Sequence, residues 1–181
     1  MGSPKALLPW RGGEDLLAHA LRRFSAANMP ALVLGPAQWA ETHGAAHLPD
    51  AMDGVGPLGG VLAAVRAGDV FIVAVDMPLL TDGEVRALLR AGEAAGVLTL
   101  PGRDGQLRAL CGYWPGALAT PLADYLAQGG RRVIDFAERM PHLFLDDASL
   151  AAIGVRPSHL QGINTPEEYA AARAAAQEHC K

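Results

Sequence analysis

Two hydrophobic periods alternate along the chain. Residues 14–25 set Leu16, Leu17, Ala20, Leu21 and Phe24 on one stripe at the 3.6-residue repeat, which predicts an amphipathic helix. Ala31-Leu32-Val33-Leu34 reads as a short buried strand closed by Gly35-Pro36. A glycine-rich turn over 54–60 leads into a predicted helix over 58–67. Phe71-Ile72-Val73-Ala74-Val75 is the strongest strand signal, because five unbroken apolar residues predict burial on both faces, as in a parallel sheet. Thr81-Asp82-Gly83-Glu84 and Thr165-Pro166-Glu167-Glu168 each set Glu three residues after Thr, the pattern of a capping box. Pro166 falls at the first helical position, where its missing N–H is harmless. Between these starts the pattern predicts strands at 97–100, 109–114 and 142–146, and helices at 117–127 and 131–139. Such alternation implies a three-layer, Rossmann-like α/β fold with a mostly parallel sheet. No repeat or low-complexity linker interrupts it, so 1–181 is expected to form a single domain.

Composition narrows the function classes. Half of the residues are apolar, a fifth are charged and the net charge is −4, which argues against a general nucleic-acid-binding surface. No apolar run approaches the ~20 residues needed to span a bilayer, and the start has no signal-peptide pattern. The expectation is a cytoplasmic protein with neither nucleic-acid nor membrane partners. Cys111 and Cys180 build no disulfide framework. His43 and His47 stand four apart, but Gly44 and Pro49 weaken a helix there and zinc needs further ligands.

Several residues carry candidate chemistry. Asp76 directly follows the 71–75 strand, and ligands of open α/β sheets bind beyond the carboxyl ends of strands. A carboxylate there suits a Mg²⁺ that bridges nucleotide phosphates; equally, it suits a residue that only caps the next turn. Gly54-Val55-Gly56-Pro57-Leu58-Gly59 spells GxGxxG, but the preceding 47–53 is short, polar and broken by Pro49, so the dinucleotide reading fails on context. A tight turn bringing backbone close to another ligand fits better. Lys5 is one of only two lysines, with Lys181, and has the compact charge used against phosphates. Arg131-Arg132 could grip an anion or be solvated charge at a helix start, and Asn164 could be a ligand or a local turn residue.

Taken in order, these motifs resemble the molybdenum-cofactor nucleotidyltransferases, and their guanylyltransferase branch in particular. Met1-Gly2-Ser3-Pro4-Lys5 is similar to the tail, MGxxK, of the family's opening LAGGxSxRMGxxK. Pro49-Asp50, Gly56-Pro57-Leu58-Gly59-Gly60, Val75-Asp76-Met77-Pro78-Leu79, Gly130-Arg131-Arg132-Val133 and Ile163-Asn164-Thr165-Pro166-Glu167-Glu168 follow in register. The resemblance implies a Mg²⁺-dependent transfer of GMP from GTP to molybdenum-bearing molybdopterin, with release of pyrophosphate. It implies that Lys5 contacts GTP phosphates, that Asp76 holds Mg²⁺, and that Asp50 and the turn of Gly56, Pro57 and Gly59 shape the nucleotide pocket. Asn164, Arg131 and Arg132 fall on the pterin side, and transient contact with cofactor-biosynthesis proteins or acceptor molybdoenzymes is implied as well. Two departures stand out: Gly35-Pro36 replaces a polar residue after the second strand, and the family's central first strand and glycine loop have no counterpart here. The expectation is that they lie upstream of Met1. Cytidylyl transfer from CTP remains the alternative, although Asn164 favours the guanylyl branch; a non-catalytic pterin-binding relative is another.

Overall fold

The computed structural model describes residues 4–103 and 105–178; Met1, Gly2 and Ser3 of the signature tail, and Cys180 and Lys181, lie outside the described residues. The elements are α1 (Leu16–Ala26), β1 (Leu32–Leu34), α2 (Ala37–Thr42), β2 (Ala46–Leu48), α3 (Leu58–Ala67), β3 (Val70–Val73), α4 (Asp82–Ala95), β4 (Leu98–Arg103), β5 (Gln106–Leu107), β6 (Cys111–Trp114), α5 (Ala119–Ala127), α6 (Val133–Arg139), β7 (His142–Leu145), α7 (Asp147–Ala152) and α8 (Pro166–Glu178). Local chemistry starts the helices where expected. Asp15 accepts the Ala18 N–H to cap α1, and Thr81 and Glu84 complete a reciprocal capping box on α4.

Sheet pairing departs from the expected parallel pattern at β6 and at the short β5, which pairs antiparallel with β4. β1 and β2 pair in parallel, as do β4 and β7. β6, however, runs antiparallel to both β3 and β4. It follows that β3, β4 and β7 share one direction and β6 is reversed between β3 and β4. The cause is connection length. Residues 104–110, which contain β5, are all that joins β4 to β6, too few for the dozen or more that a parallel crossover needs. β3 to β4 has α4 for its crossover, and those strands do run the same way.

The three layers follow from strand alternation. Ile72 faces a cluster with Leu58, Leu62 and Val65 of α3, Leu122 of α5 and Phe136 of α6. Its neighbours Phe71 and Val73 face the opposite cluster, with Val85 and Leu88 of α4 and Leu150 of α7. Each fully buried leucine contributes about 1.5–3 kcal/mol. Gly92 lets α4 lie close on β6, since a Cβ there would come within 2.2 Å of the Tyr113 Cβ.

β1 and β3 do not pair with each other. They face one another across a cavity of about 610 Å³, lined by Val33, Leu34, Phe71, Val73, Leu21 and Ala64 among others. Among the described residues, no strand pairs with either facing edge. Expected two-sided burial is therefore not reached: Leu32 is 52% exposed, and in β3 only Ile72 is buried. Short elements at 37–42 and 46–48 went unread in the sequence, because α2 and β2 are too brief to show a period.

Candidate active site

The chain beyond β3 is held in a turn. Ala74 donates its N–H to the Leu110 carbonyl (2.7 Å) and Met77 to that of Ala74 (3.3 Å), which leaves Asp76 at the carboxyl mouth of β3. The Asp76 carbonyl accepts the Ile163 N–H (2.9 Å), so the segment before α8 lies alongside. Glu168 fixes that segment by accepting the N–H groups of Asn164 (2.6 Å) and Thr165 (3.0 Å). The Asn164 side chain is left to reach back toward Asp76.

Lys5, in a 3₁₀ turn over Lys5–Leu7, closes the arrangement. Its Nζ donates to Asp76 Oδ2 (2.8 Å) and to Asn164 Oδ1 (2.8 Å). Three groups from the beginning, middle and end of the chain thus converge at one point, and the side chains of Lys5 and Asp76 stay partly open to solvent. Gly162 lies beside them; a Cβ there would sit 3.5 Å from Asp76 Oδ1, so its absence keeps that oxygen approachable. A cavity of about 430 Å³ opens from this point, bordered by Asp76, Gly162, Asn164, Arg108, Arg132 and Val133.

Asp50, Gly56 and Pro57 border the neighbouring cavity between β1 and β3, whose wall also includes Ala6 and Val75, the sequence neighbours of Lys5 and Asp76. The glycine turn wraps the Asp50 carboxylate: a Cβ on Gly59 would lie 3.0 Å from Asp50 Oδ2 and 2.5 Å from the Met52 carbonyl. Gly56 holds a left-handed φ of +63°, which a turn of this kind requires.

Arg131 and Arg132 part company. Arg132 caps α6 in an extended conformation, so consecutive side chains project oppositely. Both border a hollow beside Tyr125 and Arg139, but Arg132 also borders the Asp76 cavity, whereas Arg131 folds back, donating through Nη1 to the carbonyls of Leu126 (3.0 Å) and Gly130 (2.6 Å). His43 and His47 also separate, His43 Nε2 meeting Asp15 (2.9 Å) and His47 Nε2 meeting the Gly35 carbonyl (2.8 Å). Among the described residues no group of three or more His, Cys, Asp or Glu could hold a metal by itself. Cys111 is buried, which pushes its thiol up to about 12 and makes it inert.

Two residues escaped the sequence reading. Arg108 borders the cavity from the turn between β5 and β6, and no local pattern in the sequence singles it out. Glu84 does more than cap α4. Buried among Thr81, Arg156 and His159, it accepts from Thr81 N (2.9 Å), Arg156 N (3.1 Å) and Arg156 Nε (3.2 Å), and meets His159 Nδ1 at 2.9 Å. Burial pushes its carboxyl up, but the Thr81 N–H, His159 and Arg156 N–H outweigh burial and hold it below the ordinary value. The clamp joins the loop after Asp76 to the segment that leads into Asn164.

Residues 1–142 match the MobA-like NTP transferase domain. The molybdenum cofactor guanylyltransferase of Rhizobium meliloti is 31% identical, over 96% of this chain and 85% of that protein. Its namesake from Rhizobium rhizogenes is 31% identical over 77% of this chain and 69% of its own length. The crystal structure of molybdopterin-guanine dinucleotide biosynthesis protein A from Archaeoglobus fulgidus superposes with a TM-score of 0.84, covering 98% of this chain and 92% of that one. At 24% identity, this last likeness shows the fold. Among the described residues, no helix is long and apolar enough to cross a membrane.

Proposed function

Since the chain belongs to the MobA-like NTP transferase family, we propose that it transfers GMP from GTP to molybdenum-bearing molybdopterin, releasing pyrophosphate and forming the guanine dinucleotide cofactor. The convergence of Lys5, Asp76 and Asn164 at the mouth of β3 carries the reading, and the guanylyltransferase names of its relatives support the choice of GTP.

An oxygen of the acceptor's terminal phosphate attacks the α-phosphorus of GTP. The new O–P bond forms as the bond to the β-phosphate breaks, and pyrophosphate takes the bonding pair. The attacking oxygen is already anionic, so no side-chain base is needed, and the protein's task is alignment and charge neutralisation. Lys5 offsets charge on the GTP phosphates. Asp50, with Gly56, Pro57 and Gly59, shapes the nucleotide side, and Asn164 and Arg132 face the pterin side. Arg131 takes no direct part and braces the Gly130 turn.

The donor set fits a Mg²⁺ shared with the substrate and not a cation held by protein alone, because Asp76 is a single carboxylate with Oδ1 left approachable by Gly162. When bound, the ion would neutralise triphosphate charge. Asp76 would hold it.

Pyrophosphate release, measured with each nucleoside triphosphate in turn and molybdopterin supplied, tests the assignment. GTP with Mg²⁺ is expected to support release, and Asp76→Asn to lower the rate at least ~100-fold, as for loss of a group that stabilises developing charge. Preference for CTP would move the assignment to cytidylyl transfer. No release with any triphosphate would refute the reading.

A further inference from the structure

Arg108 has no role in the reading above. Its main chain is pinned twice: its N–H donates to the Pro101 carbonyl (2.9 Å), and its carbonyl accepts the Cys111 N–H (2.8 Å). A side chain leaving so fixed a turn is pre-organised. It borders the same cavity as Asp76, Asn164 and Arg132. Its Nε–H is enclosed and, among the described residues, no atom accepts from it. The residue as a whole is only half-buried, so the rest of its fork is open to a ligand, while an enclosed N–H without an acceptor is costly. An anion seated against its fork would supply what the protein does not.

The charges in this cavity are unevenly shared. Asp76 is already matched by Lys5, whereas Arg108 and Arg132 border the same cavity without a carboxylate of the Asp76 site bonded to either. Arg132 is half-committed to Asp135 (3.1 Å) and largely exposed, so Arg108 is the more sheltered cation.

We propose that Arg108 binds the anionic end of the acceptor substrate, a phosphate monoester, with Arg132 as its outer partner. The assignment rests on the transferase reading and deepens it, because it gives the attacking phosphate a fixed seat beside the nucleotide. A planar fork suits two phosphate oxygens at once, which a lysine cannot match.

The test compares wild type with Arg108→Ala and Arg108→Lys. Loss of a charge-assisted phosphate contact is expected to raise the acceptor KM by roughly 10–100-fold, with the GTP KM changed less than about twofold. Arg108→Lys should recover only part of the loss. As a readout independent of turnover, inorganic phosphate is titrated while the arginine Nε–H NMR resonances are followed. The resonance missing from Arg108→Lys is expected to move in wild type. An unchanged acceptor KM, a larger change for GTP than for acceptor, or an unmoved resonance would each overturn the proposal. If wild type transfers no nucleotide yet that resonance moves with phosphate, the anion seat stands and the transferase reading falls.

Discussion

Removing the Glu84 carboxylate tests how the two halves of the site are held together. Glu84 is only 4% exposed and fastens the start of α4 to residues 156–159, so the loops supplying Asp76 and Asn164 share one anchor. Glu84→Ala strands the Thr81 and Arg156 N–H groups and leaves His159 without its carboxylate. Deleting one partner of a buried charged cluster costs about 3–5 kcal/mol. At ~2–4 °C per kcal/mol for a chain of this size, Tm should fall by roughly 6–20 °C. Glu84→Gln retains the shape and one acceptor and should lose less. The pH dependence has a definite sign. The folded-state carboxyl is held below the ordinary glutamate value, so its contribution is complete above the unfolded value and is lost as pH falls through the folded one. Urea unfolding of wild type and Glu84→Gln at pH 7 and at about pH 3 should therefore show a gap that narrows in acid. A Glu84→Ala loss under about 1 kcal/mol at pH 7, or a gap equal at both pH values, would refute the clamp.

The close approach of α4 to β6 predicts that Gly92→Ala destabilises, despite alanine's better helix propensity, by about 1–3 kcal/mol or more, because the new methyl meets the Tyr113 Cβ; thermal unfolding measures it. The apolar cavity between β1 and β3 should bind a hydrophobic dye such as ANS, with enhanced emission at pH 7; no enhancement would mean that the two strand edges close together in solution.

The apolar stripe of 14–25, the existence of a strand near 71–75 and the two Thr-x-x-Glu boxes were legible because a helix face, a strand and a cap are each set by neighbours within four residues, whereas the burial of that strand depends on partners far along the chain. The position of Asp76 was legible for a related reason, since a carboxylate just past a strand falls where α/β sheets expose their ligand edge, and that made it a candidate. The reversal of β6 depended on which strands flank it, which no local pattern states. Long-range partners were closed to sequence reasoning in the same way. Lys5 and Asn164 stand 159 residues apart, and nothing in either neighbourhood says that Nζ and Oδ1 meet. Arg131 and Arg132 looked alike as a pair until an extended backbone turned one toward the cavity and the other away. Arg108 gave no signal at all, because its place at the cavity is set by residues far along the chain. Sequence determined most of the elements, through short-range sterics, capping and periodicity, and the ordered likeness of its motifs to a family pointed to nucleotidyl transfer. Tertiary packing alone decided which charges share a cavity, because Coulomb and hydrogen-bond interactions act over a few ångströms of space and are indifferent to distance along the chain.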